Sequence, residues 1–67
     1  MKLTLKQARL MAGITQEDAG KLVGVGRDTI ASWEMERSYP DIICFRKLCK
    51  VYSVQTDDII FLSNKSA

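Results

Sequence analysis

Apolar residues recur along this chain at helical spacing, in blocks separated by short polar or glycine-containing breaks. Leu5, Ala8 and Ala12 share one face of a helix predicted over residues 4–12, with Thr4 as its cap. Arg9 flanks that face and needs either a partner or a route to water. Gly13 ends the helix and Ile14 follows as an apolar plug. Thr15 opens a second helix, and Glu17 and Asp18 lie in its first turn, where the helix dipole favours them. Its apolar side is Ala19, Leu22 and Val23. Gly20 stands in mid-helix at a cost of about 1 kcal/mol against alanine, which implies that another backbone comes close. Gly24 closes the helix by taking positive φ.

A third helix runs from Arg27 to about Met35. Ile30 and Trp33 fall on one side of it; Arg27, Asp28, Ala31, Ser32 and Met35 cover the other. Residues 36–40 form a loop in which Pro40 turns Tyr39 away from helix. The fourth helix spans Asp41 to Tyr52, with Ile42, Phe45, Leu48, Cys49 and Tyr52 inward and Arg46, Lys47 and Lys50 outward. Ile43 interrupts the outer face. After a second plug, Val54, Thr56 is placed to cap a short fifth helix with Asp57 and Asp58 in its first turn and Ile59, Ile60, Phe61 and Leu62 behind them. Residues 63–67 make a polar tail. Nothing alternates with the period of a strand. The expectation is therefore an all-α fold of five short helices in one domain, with a helix-turn-helix unit at about 15–35.

Composition narrows the function. The 67 residues are 46% hydrophobic, enough for a packed core, and 27% charged, which argues against disorder. The net charge of +2 is compatible with nucleic acid without pointing to it. There are two cysteines and no histidine. Five residues apart on one helix, Cys44 and Cys49 point about 140° away from each other and cannot bridge. They do not make a zinc site, and as small apolar residues they suit a reducing cytoplasm. No apolar run of roughly 18 residues suggests a membrane span, and no leader is evident. Without histidine, a metal-ligand cluster or a phosphate-cradling glycine loop, an enzyme is not expected. No cofactor and no small-molecule ligand is expected either. Asp57 and Asp58 are a helix-start signal rather than paired catalytic carboxylates, and Arg46, Lys47 and Lys50 are read as a solvated face.

The spacing within residues 15–34 is the specific signal. Counted from Gln16, Gly20 is fifth, Gly24 ninth, Val25 tenth, Ile30 fifteenth and Trp33 eighteenth. Two helices crossing at a tight turn need a small residue at the fifth position and a sharp turn at the ninth. They need apolar residues at the other three, so that the second helix stands on the core with its far side free.

In this the chain resembles the phage repressor and Cro-type, or XRE-like, helix-turn-helix family. The likeness extends over about residues 3–62 and includes Arg9, Gly13, Thr15-Gln16, Gly24-Val25, Ile30, Trp33-Glu34, Pro40, Leu48, Val54 and Asp57-Asp58-Ile59. It implies a sequence-specific regulator of transcription, a repressor, that reads a pseudo-palindromic operator in double-stranded DNA as a homodimer. The third helix would lie in the major groove with Arg27, Asp28 and Ser32, and with them Thr29, toward base edges. Ala31 and Met35 would offer apolar contact to thymine methyls. Gln16 would bind a phosphate and brace Arg27, while Arg37, Ser38 and Tyr39 would face the backbone. Asp28 has two readings: an acceptor for cytosine N4, or simply a favourable charge at the helix N-terminus. Arg9 and Glu34 match an internal ion pair. Ile59, Ile60, Phe61 and Leu62 exceed what one short helix need bury and match a dimer interface.

The chain departs from the family at Gly26, which replaces a hydroxyl cap on the third helix, at Ala19 and Ser53, and at Ile43, an apolar residue on a polar face. Ile43, Met35 and the apolar C-terminus also suit a second reading, an adaptor or antitoxin-like module that binds a protein on the same fold.

Overall fold

The capping residues decide where the helices begin. The structure, a computed structural model describing residues 2–62, has four α-helices: α1 Leu5–Ala12, α2 Gln16–Val23, α3 Arg27–Glu34 and α4 Ile42–Val51. Thr4 and Gln7 cap α1 reciprocally: the Gln7 N–H donates to Thr4 Oγ1 at 3.1 Å and the Thr4 N–H to Gln7 Oε1 at 2.9 Å. Thr15 and Asp18 do the same for α2 at 3.0 and 3.4 Å. Asp41 lies outside α4 and accepts the Cys44 N–H at 2.8 Å, which holds its carboxyl below the usual range. Gly26 gives α3 no side-chain cap.

The all-α class is observed, but the fifth helix is not. Residues Thr56–Asp58 form a single 3-10 turn, started by Gln55 rather than Thr56, with the Gln55 N–H donating to Asp58 Oδ2 at 3.0 Å. Ile59 then turns extended at φ −93°, ψ 133°. The Leu3 N–H donates to the Asp58 carbonyl at 2.7 Å and the Ile60 N–H to the Leu3 carbonyl at 2.8 Å, an isolated parallel bridge. Pairing with the start of the chain satisfies these backbone groups, so the β-branched Ile59 and Ile60 leave the helix. The polar tail 63–67 lies outside the described residues.

One core runs through the helices. Ala8, Ala19, Ile30 and Leu48 are essentially inaccessible, joined by Leu3, Leu5, Val23, Trp33, Cys49, Tyr52 and Ile59. Two residues placed inward by periodicity face out instead: Leu22 on α2 and Ile42 on α4, at 62% and 60% exposure. Ala12 is also exposed. Each lies toward an end of its helix, where the wheel angle is right but no neighbouring element reaches. Both cysteines are free, Cys49 buried and Cys44 half-buried, and burial pushes both thiols up. Burial, with the nearby Glu34 carboxylate, pushes the Tyr52 hydroxyl to about 12, so it stays neutral through the core's working range. Among the described residues no helix is long and apolar enough to cross a membrane.

Candidate nucleic-acid interface

The angle between α2 and α3 is set by backbone contact. A Cβ built on Gly20 would lie 2.6 Å from the Val25 carbonyl oxygen and 3.2 Å from the Gly26 carbonyl carbon. The Gly20 carbonyl in turn accepts from both the Gly24 and Val25 N–H groups at 2.8 Å. Gly24 makes the turn at φ 89°, ψ 28°, a left-handed conformation that glycine adopts without steric cost. Ile30 and Trp33 then anchor α3 in the core and leave its other side uncovered.

A buried ion pair fixes α3 to α1. Arg9 Nε donates to Glu34 Oε2 at 2.6 Å and Nη2 donates to Oε1 at 3.2 Å, while Nη1 donates to the Ile14 carbonyl at 2.9 Å. The two side chains are only 8% and 4% exposed. A fork of this kind is the geometry that makes burial of a charge tolerable, since each of the three guanidinium nitrogens donates to an acceptor. The Glu34 hydrogen bonds also hold the Arg9 guanidinium above its already high range.

Gln16 belongs to the same network. Its Nε2 donates to Glu34 Oε1 at 3.0 Å, so it braces the ion pair rather than Arg27. Residue type and position suggested the residue but not this partner, because the donor lies 18 positions from its acceptor. The Ile14 carbonyl was likewise invisible in the sequence, since a backbone acceptor leaves no residue signature.

Gln16 and Arg27 share one shallow surface depression with Ile14, Thr15 and Glu17. The side chains of Arg27 and Asp28 are 67% and 99% exposed, and their closest approach is a loose 3.9 Å. Thr29 and Ser32 are half-buried on the same helix. The Ser32 and Ser38 hydroxyls are 2.8 Å apart and hydrogen-bonded, which ties α3 to the loop that follows it. A hydroxyl has a donor and two acceptor sites, so this bond leaves each able to make another. Arg37, Ser38 and Tyr39 are exposed. Acidic groups border the surface as well: Glu17 lies 3.9 Å from Lys21 on α2, so the face is mixed in sign rather than broadly basic.

The C-terminal residues divide. Ile59 is buried in the chain's own core, and Ile60 and Phe61 are half-buried. Phe61 packs edge-on against Tyr39 at 5.3 Å between centroids and against Phe45 at 6.0 Å. Leu62 is 72% exposed. Tyr39 is therefore drawn toward the C-terminal segment, and its hydroxyl donates to Glu36 Oε1 at 3.4 Å. Partial desolvation and the Glu36 charge push that hydroxyl up.

Two crossed helices at a glycine turn, the second seated on the core with a free polar row, define a helix-turn-helix protein. The Helix-turn-helix family matches residues 5–59. The chain is 33% identical over 98% of its length, and 100% of the relative's, to the uncharacterised HTH-type transcriptional regulator YgzD of Bacillus subtilis. It is 37% identical to an uncharacterised HTH-type transcriptional regulator of Methanocaldococcus jannaschii, over 88% of this chain and 89% of that one. The HTH-type transcriptional regulator ImmR of Bacillus subtilis is 34% identical over 84% of this chain, which spans 44% of ImmR. No solved structure matches significantly. The chain belongs to the XRE-type helix-turn-helix family of DNA-binding transcriptional regulators.

Proposed function

We infer that the protein is a sequence-specific repressor that binds a pseudo-palindromic operator as a homodimer. The observation that carries this is the outer row of α3. Arg27 and Asp28 project into solvent from a helix start with no side-chain cap, beside Gln16, whose position is fixed by the buried ion pair. A rigid helix with free residues in its first turn suits entry into the major groove. In this reading Arg27, Asp28, Thr29 and Ser32 face base edges. Gln16, Arg37, Ser38 and Tyr39 face the backbone and set the register.

One copy carries one such helix. A two-fold dimer would present two, to read half-sites about one turn of DNA apart, roughly 34 Å. The dimer face would be built on Phe61 and Leu62, with the exposed Ile42 beside them. Ile42 lies one turn before Phe45 on α4, and Phe45 packs on Phe61. Ile59 and Ile60 would support that face from within, since Ile59 is committed to the core.

Titration of a fluorescent random-sequence duplex tests the electrostatic part. If the protein neutralises about four phosphates, affinity falls about 100-fold or more from 50 to 200 mM salt. Ile43, 65% exposed among Arg46, Lys47 and Lys50, favours the adaptor reading instead. That reading predicts no salt-dependent binding to duplex DNA.

A further inference from the structure

The loop that leaves α3 is joined to the C-terminal segment through the side chains of Glu36 and Tyr39. Met35 ends α3, and Glu36 follows in the left-handed region at φ 58°. The Glu36 N–H donates to the Trp33 carbonyl at 3.1 Å and the Arg37 N–H to the Ser32 carbonyl at 3.0 Å, which together close the helix. Glycine is the usual residue at such a position, because a side chain there is sterically strained. Here the side chain has contacts that glycine cannot make. Glu36 Oε2 accepts the Leu62 N–H at 2.8 Å, across 26 positions of sequence, and Oε1 accepts from the Tyr39 hydroxyl. Tyr39 packs on Phe61, so the loop and the C-terminal segment are tied by one hydrogen bond and a ring contact, and Glu36 holds Tyr39 in place for the latter.

We propose that Glu36 is a positioning residue that couples segment 59–62 to the loop 36–39, so that fixing the C-terminal segment also fixes Arg37, Ser38 and Tyr39 against the DNA backbone. The proposal rests on the reading above for the role of that loop and deepens it. Glu36 itself touches no DNA in this account. It acts through Tyr39 and Leu62, and a second copy seated on Phe61 and Leu62 would strengthen DNA binding through it. Such coupling is reciprocal, so DNA on the loop would also favour the seated second copy.

Five proteins test this: the wild type, Glu36→Gly, Glu36→Gln, Phe61→Ala and the double variant of Glu36→Gly with Phe61→Ala. Glycine relieves the left-handed backbone, so Glu36→Gly should melt no earlier than the wild type. Its affinity for a random-sequence duplex at low salt should nevertheless fall about fivefold. Phe61→Ala should weaken binding comparably, and the double variant should bind no more weakly than the weaker single one, as expected for residues in one network. Glu36→Gln keeps an acceptor oxygen and should recover part of the affinity. Amide NMR without DNA supplies an independent readout. Leu62 should lose exchange protection in Glu36→Gly, and the amides of Arg37, Ser38 and Tyr39 should shift in Phe61→Ala. Unmoved loop amides in Phe61→Ala, or affinity losses that multiply in the double variant, would overturn the coupling. Failure of the wild type to bind duplex would reject the DNA reading, and the amide shifts would still decide the coupling.

Discussion

Gly20→Ala should lower the thermal midpoint by about 10 °C and abolish DNA binding, although alanine is the better helix former. The new methyl would lie 2.6 Å from the Val25 carbonyl oxygen. Its neighbours are the backbone of Val25 and Gly26, and backbone cannot change rotamer to make room. Overpacking of this kind costs about 1–3 kcal/mol, and the rigid neighbour puts it at the upper end. The gain in helix propensity offsets about 1 kcal/mol, leaving a net loss of about 2 kcal/mol. Relief comes only by moving α3 away from α2, which displaces Arg27 from Gln16. Gly26→Ala is the control. It has no atom within 4 Å of the added Cβ and an ordinary φ of −79°, so it should cost only the N-cap preference for glycine over alanine, about 0.5–1 kcal/mol and clearly less than Gly20→Ala. Urea unfolding followed by the fluorescence of the buried Trp33 measures both. Equal stability of the two variants would refute the close crossing.

Glu34→Ala should be the most damaging single change, at about 3–5 kcal/mol. Its size comes from what remains. Arg9 would stay buried with only the Ile14 carbonyl as an acceptor, and Gln16 would lose its acceptor too. Small domains have about 5 kcal/mol to lose, so most of the stability goes with this one carboxylate. Replacing both charges, as Arg9→Met with Glu34→Leu, should restore much of it, because the loss arises from an uncompensated charge rather than from the absence of the pair. The double variant should still bind DNA less tightly, since Gln16 is then unbraced. If Glu34→Ala unfolded within about 1 kcal/mol of the wild type, the pair would be solvated rather than buried.

These two residues also mark how far sequence alone reaches. Gly20 was legible as a close approach because a mid-helix glycine has a cost that something must offset. Arg9 was legible because a cation beside an apolar stripe must find a partner. Helices α1 to α4 followed from caps and periodicity for the same reason: both are local. Leu22 and Ile42 were misplaced because a wheel gives an angle and not the neighbour that would cover it. The end of the chain misled because the signal at Thr56–Asp58 is local while the bridge from Leu3 to Ile59 is not. Glu36 was hidden for a further reason: a left-handed residue other than glycine leaves no mark in sequence, and its partner Leu62 lies far along the chain. Gln16 was found by position, but its bond to Glu34 appears only when α2 and α3 are brought together.

The central claim is that α3 reads bases through Arg27, and in vitro selection of bound duplexes by the wild type and Arg27→Ala tests it most directly. The wild type should enrich a pseudo-palindrome with half-sites about one helical turn apart. Arg27→Ala should lose about 1–3 kcal/mol of discrimination at one position in each half-site and keep the remainder of the pattern. The same enriched sequence and the same affinity for both proteins would contradict the assignment.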